Sequence, residues 1–205
     1  MKKLMAIAVV LLTTIAASAG TVTVVFGGFH GQGNPAWAAG YPYYANLNGG
    51  PTIAVMCDDW EHGGLPGDTW QANVTDLGTG NLRNLRFNQL PNALTLYDEV
   101  GWLLLQTQYT QQAQWTDINY AVWNIFDASA PLPGNASYWL TQAQLAASLG
   151  FPGVNFHEVA IYTPLNQYDS NPDGPQELMA IVPEPTTLIL LAGGLLGIWG
   201  RRKLR

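Results

Sequence analysis

The densest group of reactive side chains in the sequence lies in the heptapeptide MCDDWEH, at positions 56–62. It contains one thiol, three carboxylates and one imidazole, at Cys57, Asp58, Asp59, Glu61 and His62. Because Cys57 is the sole cysteine of the chain, it has no internal disulfide partner. The simplest interpretation is a strand that ends in a buried thiol and continues into a solvated acidic turn.

Three kinds of chemistry can be weighed on this cluster. A cysteine peptidase needs a histidine within hydrogen-bonding reach of the thiol and a third group that orients it, and no such signature surrounds His62. Neighbouring residues of a strand point to opposite faces, which disfavours Asp58 and Asp59 as the two carboxylates of a hydrolase. One cysteine and three dispersed histidines give no zinc-ligand spacing. We therefore expect no enzymatic activity, and a hydrolase that uses the two aspartates is the less favoured alternative.

A second group of oxygen ligands lies in the segment DSNPDG, residues 169–174. Asp169, Asn171 and Asp173 occupy positions one, three and five of a Ca²⁺-binding loop, and Gly174 occupies position six. Position twelve, where such loops carry a bidentate glutamate, is Ala180. The same residue types also build ordinary turns. A weak Ca²⁺ site is therefore the one cofactor site that the sequence suggests, and otherwise we expect no cofactor.

The central part of the chain, residues 20–182, is strongly acidic. It holds 13 of the 14 acidic residues and two basic ones, Arg83 and Arg86, so its net charge is −11 against −6 for the whole chain. Such a surface repels phosphate backbones, which excludes nucleic acid as a partner. Aromatic residues between positions 34 and 44 are suited to stacking on the sugar rings of an extracellular polysaccharide.

The N-terminal end, residues 1–19, has the pattern of a secretory signal peptide. Lys2 and Lys3 precede an apolar run from Leu4 to Ile15, and small residues follow at positions 16–19. We expect export and cleavage after Ala19.

The C-terminal end, residues 183–205, combines three features in a fixed order. A Pro183-Glu184-Pro185 triplet precedes 15 uncharged residues at positions 186–200, which form an apolar helix of roughly 22 Å. Four basic residues then stop transfer through the membrane: Arg201, Arg202, Lys203 and Arg205. We expect a transmembrane helix whose C-terminus is cytoplasmic before processing. This arrangement resembles the PEP-CTERM sorting signal of bacterial envelope proteins, and the resemblance implies recognition by an exosortase.

Between these ends, the pattern of residues predicts strands followed by helices and then strands. Predicted strands cover residues 21–29, 52–60 and 69–77, three helices lie between residues 90 and 150, and two further strands cover 154–164 and 176–182. Residues 31–51 are predicted to be an irregular loop. The fold class is therefore α+β, with an antiparallel sheet or sandwich and a central insertion of about three helices.

The central domain also resembles the thioester domains of bacterial surface adhesins. The resemblance is carried by Cys57 at the end of a strand and by the helical segment Ile118-Asn119-Tyr120-Ala121-Val122-Trp123. In that family the cysteine and a glutamine lose ammonia to form an internal thioester that captures a nucleophile on a partner surface. Asn119 stands here at the glutamine position. Since its side chain is one methylene shorter, we expect a thioester-like fold in which Cys57 and Asn119 do not form the bond.

These observations predict an exported cell-envelope protein. We expect the body to be a non-catalytic surface or extracellular-matrix interaction module whose partners are the sorting enzyme, the membrane, and a polysaccharide or surface protein. The alternative is a covalent adhesin that forms a thioester through Cys57.

Overall fold

The computed structural model describes residues 20–29, 42–166 and 174–182. The described strands are β1 (Thr21–Phe29), β2 (Tyr43–Leu47), β3 (Thr52–Cys57), β4 (Thr69–Asp76), β5 (Val159–Pro164) and β6 (Leu178–Ile181). The α-helices in these ranges are α1 (Ala93–Gln106), α2 (Trp115–Phe126) and α3 (Ala136–Ser148). Single turns of 3₁₀ helix cover Leu77–Thr79, Gln112–Gln114 and Phe156–Glu158. The three helices lie between β4 and β5, which confirms the predicted α+β order.

The strands form one antiparallel sheet in the order β1-β2-β3-β6-β5-β4, and β4 pairs back onto β1 to close a barrel. The predicted antiparallel sheet is confirmed, but it closes into a barrel and does not form a sandwich. Closure depends on the length of β1, whose first half pairs with β4 while its second half pairs with β2. A bulge between Phe26 and Gly28, where Gly28 has φ 73°, bends β1 between its two partners.

The strand β2 lies within the segment that was predicted to be an irregular loop, so that prediction was wrong for residues 43–47. A tight hairpin turn joins β2 to β3. Asn48 and Gly49 both have positive φ, and the Gly50 amide donates to the Leu47 carbonyl at 2.9 Å. These features identify a type I′ turn, whose twist matches that of the flanking strands.

Two buried clusters lie on the two faces of the sheet. Met56, Ile161 and Met179 face the helices and pack with apolar residues of α1 and α2. Val55, Cys57 and other alternate residues fill the barrel interior. Trp123 of α2 also belongs to the interior cluster, which shows that α2 covers the end of the barrel where β3 stops.

In the described ranges, no helix combines the length and apolar character needed to cross a membrane. The predicted signal helix and the predicted C-terminal transmembrane helix lie in residues 1–19 and 183–205, outside the described ranges.

Candidate functional site

Cys57 is the last residue of β3 and is 1% exposed inside the end of the barrel. Its Sγ donates to the Asp59 carbonyl at 3.1 Å, and the Asp59 amide lies 3.4 Å from Sγ. Burial raises the pKa of the Cys57 thiol well above its usual value, and the nearby Asp59 and Asp58 carboxyls add to the effect. The thiolate is the nucleophilic form, so this environment keeps the sulfur unreactive.

Asn119 lies on α2 and is fully buried against the end of β3. Its Nδ2 donates to the backbone carbonyl of Cys57 at 2.8 Å, so the fold brings together two residues that are 62 positions apart. Asn119 Oδ1 has no hydrogen-bond partner within the described part of the chain. The contact between these residues runs through the Cys57 carbonyl, and a bond between Sγ and the carboxamide carbon stays a prediction.

Asp59 organises the turn that follows β3. One of its carboxylate oxygens accepts from the backbone amides of Glu61 and His62, both at 3.2 Å, and the His62 ring nitrogen lies 3.0 Å from the carboxylate. Its other oxygen pairs with the Arg86 guanidinium. Asp58 and Asp59 are both buried, so the prediction of a solvated acidic turn was wrong for these two residues. Burial of the Asp59 carboxylate is offset by its ion pair with Arg86, which lies 27 positions further along the chain.

Arg86 connects three segments of the chain. Besides its ion pair with Asp59, its Nη2 donates to the Pro175 carbonyl at 2.8 Å, and its backbone amide donates to Glu177 Oε2 at 3.0 Å. The guanidinium is almost entirely buried. A buried arginine that satisfies two partners at once holds them in a fixed geometry, which a single point charge would not do.

Glu177 is fully buried where β6 begins, at the boundary between the barrel and the helices. It accepts a hydrogen bond from Tyr97 Oη of α1 at 2.6 Å, another from Thr163 Oγ1 of β5, and the one from the Arg86 amide. Burial raises the pKa of the Glu177 carboxyl, and the bonds from Thr163, Tyr97 and Arg86 oppose the rise by favouring the charged form.

Asp58 is also fully buried, and its side chain lies within hydrogen-bonding reach of Glu177. Neither of its carboxyl oxygens meets a donor among the described residues. Burial raises the pKa of Asp58 well above its usual value, and the neighbouring Glu177 charge raises it further. Because Glu177 has three donors and Asp58 has none among the described residues, the arrangement favours the protonated form of Asp58 and the charged form of Glu177.

Sequence reasoning missed most of the buried polar cluster, which consists of Cys57, Asp58, Asp59, Arg86, Tyr97, Thr163 and Glu177. Tyr97 lies on α1, Thr163 on β5 and Glu177 directly before β6, and none of them stands in a motif that marks it as polar and buried. Arg86 carried a usable signal, since it is one of only two basic residues in the acidic body. Since the body has two arginines and 13 acidic residues, a buried carboxylate in it is expected to pair with one of these arginines.

Several predicted site residues lie outside the described ranges. They are Ala19, the Ca²⁺-loop residues Asp169, Asn171 and Asp173, the triplet Pro183, Glu184 and Pro185, and the basic residues Arg201, Arg202, Lys203 and Arg205. Among the residues that the structure does describe, no group of three or more His, Cys, Asp or Glu side chains is placed to hold a metal ion.

Comparison with known proteins gives a likeness to a solved structure and a match to a sorting motif. The fold is similar to the N-terminal domain of the Streptococcus pyogenes pilus tip adhesin Cpa, with 13% sequence identity, a TM-score of 0.44, and coverage of 79% of this chain and 94% of that one. Since this TM-score is low, the likeness assigns no activity to the chain. No curated protein matches the chain at a significant level. Residues 182–205 match the PEP-CTERM protein-sorting motif, which marks the chain as an exported, envelope-associated protein that an exosortase processes.

Proposed function

We propose that residues 20–182 form a non-catalytic interaction module that is displayed at the cell envelope. The observation that carries the proposal is the PEP-CTERM protein-sorting motif at residues 182–205, because it supplies the route to the envelope. The module would act there by contact with a polysaccharide or a surface protein. The membrane and an exosortase would be its partners during sorting.

The polar cluster supports a non-catalytic role for the module. Its thiol and carboxyl groups are buried, and most of them are committed to partners inside the fold. Asp59 and Glu177 each accept several hydrogen bonds, which leaves little capacity for a substrate. These contacts join β3, β5, β6 and α1, so the cluster is suited to stabilising the barrel against the helices.

The delivery step can be tested in the native host. Pro183, Glu184 and Pro185 are replaced together by alanine, and the full-length protein is located by cell fractionation. The proposal expects the wild type in the envelope fraction and the triple variant to be mis-sorted or unprocessed. A variant at an exposed body position, Tyr109→Phe, is the matched control and should be sorted like the wild type. Wild-type protein confined to the cytosol would refute the proposal.

The non-catalytic role can be tested on cells that display the protein. Cells with the wild type should aggregate or adhere more than cells that lack it, and Cys57→Ser should retain the effect, because the thiol contributes packing and no bond to the partner. Retained display with complete loss of adhesion in Cys57→Ser would contradict a non-covalent module.

Loss of adhesion in a displayed Cys57→Ser variant would favour the second candidate, a covalent adhesin. One observation supports this candidate: the Asn119 amide lies against Cys57 at the end of the barrel. A formed thioester makes the mature protein lighter by one ammonia and makes it reactive toward methylamine. An unshifted mass, with Cys57 fully alkylated after unfolding, would remove this candidate. Asn119→Ala provides the control, since it deletes the acyl group and must abolish any mass shift.

A further inference from the structure

Three aromatic rings form a cluster on the surface next to the end of β3. Trp60 is 39% exposed and packs against Trp123, with ring centroids 5.1 Å apart, and against Tyr120 at 6.3 Å. Tyr120 and Trp123 meet edge to face at 5.2 Å. We call Trp60, Tyr120 and Trp123 the aromatic platform. Trp123 is its buried base, and Trp60 is its exposed member.

The backbone on both sides of Trp60 is fixed by hydrogen bonds to the buried Asp59 carboxylate. Asp59, the preceding residue, is buried and accepts the amides of Glu61 and His62, the two residues that follow Trp60. Arg86 holds Asp59 in turn through their ion pair. An exposed aromatic ring on a fixed backbone, packed against two other rings, loses little conformational freedom when a ligand covers it. The platform is therefore preorganised for contact with a flat or compact ligand.

The charge of the body restricts which ligand can approach. The body carries −11, and of its two basic residues Arg86 is buried in the ion pair, which leaves Arg83 exposed. Glu61, the residue after Trp60, is exposed beside the platform. An anionic polymer would be repelled, whereas a cationic one would be attracted. An ammonium group is also attracted to the face of a tryptophan ring, the best aromatic partner for a cation.

We propose that the exposed face of Trp60 binds the amine-bearing sugar rings of a polysaccharide, with the aromatic platform as the contact and the acidic body as the source of long-range attraction. This inference rests on the proposed function, since it names the partner class of the interaction module. The sugar ring would lie on Trp60 with its ammonium group over the ring or toward Glu61.

The experiment measures retention of the purified full-length protein on immobilised chitosan, dextran and alginate, which are amine-bearing, neutral and anionic. Trp60→Ala, Trp60→Phe and Tyr138→Ala are compared with the wild type. Tyr138 is the matched control, because it is 54% exposed on α3 and packs against a largely buried tryptophan, Trp139, in a similar way. Urea unfolding of each variant checks that the fold is intact, and Trp60→Phe keeps an aromatic ring if the alanine variant is unstable.

The proposal expects retention on chitosan in preference to the other two polymers, with a decrease as salt is added. Trp60→Ala should weaken retention about fivefold, Trp60→Phe should weaken it less, and Tyr138→Ala should leave it unchanged. Equal retention of the wild type and a folded Trp60→Ala, or equal retention on all three polymers, would overturn the inference. Location of the same variants in the envelope is read separately. A mis-sorted wild type would contradict the proposed function, whereas a correctly sorted protein that ignores chitosan would contradict this inference alone.

Discussion

The raised pKa of the buried Asp58 carboxyl predicts that the stability of the protein depends on pH, and Asp58→Asn tests this prediction. In the native protein Asp58 lies beside Glu177 with a raised pKa that favours its protonated form, and Glu177 accepts hydrogen bonds from Tyr97, Thr163 and Arg86. An asparagine side chain at this position has nearly the same shape, and its amide N–H can donate to Glu177 at every pH. The substitution therefore keeps the hydrogen bond and removes the titrating proton.

The sign of the effect follows from the pKa of Asp58, which is raised in the native state by burial and by Glu177. In the unfolded chain an aspartate ionises near pH 4, so above that pH unfolding releases a proton that the native state still holds. The free energy of unfolding of the wild type should therefore fall as pH rises, by up to about 1.4 kcal/mol per pH unit, until Asp58 ionises in the native protein. In Asp58→Asn the free energy of unfolding lacks this pH-dependent contribution, because an asparagine does not titrate.

Asp98 also contributes at lower pH, because burial raises its pKa to about 6. The informative window is therefore about pH 7 to about pH 8, where native Asp98 is almost fully ionised and thiols are still largely protonated. Urea unfolding is followed by tryptophan fluorescence across this window. Near pH 4 the variant should be within about 1 kcal/mol of the wild type, and it should become the more stable protein as pH rises.

The matched control is Asp98→Asn, which removes a half-buried carboxyl that burial alone perturbs. It should leave the slope between about pH 7 and about pH 8 like that of the wild type, because a carboxyl with a pKa of about 6 is almost fully ionised by about pH 7. Parallel slopes for the wild type and Asp58→Asn would refute the reasoning, since they would mean that Asp58 carries no proton in the native state.

Three further predictions concern packing and charge. Arg86→Ala should cost about 3–5 kcal/mol in urea unfolding because it leaves the Asp59 carboxylate buried and unpaired, and a loss below about 1 kcal/mol would show that the pair contributes little. Gly101→Ala should destabilise the protein by about 1–3 kcal/mol, because the new Cβ would lie 2.5 Å from Leu77 Cδ2, and combination with Leu77→Ala should recover part of the loss. Cys57 should resist maleimide in the native protein and react fully in urea. Reaction at the same rate in both states would contradict its burial, and protection in urea would indicate a covalent bond.

The order of elements was predictable because their local patterns agree with the final fold. Apolar residues recur at helical spacing between β4 and β5, and alternation marks β4. The strand β2 was missed because its residues, YYANL, follow a segment rich in glycine and proline. The Asn48-Gly49 pair after it was the available signal, since two residues with positive φ are typical of a hairpin turn.

Closure of the barrel was not predictable from local pattern. It depends on which strands pair, and β1 bonds to β4 across more than 40 residues of intervening chain. Alternation shows that a strand has a buried face, but it does not show whether the sheet has edges. The two glycines at positions 27 and 28 mark the bend in β1, although a glycine pair at that position also fits the end of a strand.

The candidate site, like the fold, was predictable in part. The proximity of Cys57 and Asn119 was expected from a family resemblance, and the structure places them in contact through the Cys57 backbone carbonyl. The bonds of Glu177 to Tyr97 and Thr163 were not foreseen, because they join residues 80 and 14 positions apart whose types are common on protein surfaces. A sequence shows that a residue is acidic, whereas its burial is decided by the packing of elements around it.

The proposed envelope module is tested most directly by the intact mass of the protein recovered from the envelope of its native host. We expect a chain that has lost residues 1–19, has been processed near Pro183–Pro185, and retains a free Cys57 thiol beside an unmodified Asn119 carboxamide. Recovery of the unprocessed 22.2 kDa chain from the cytosol would contradict the account.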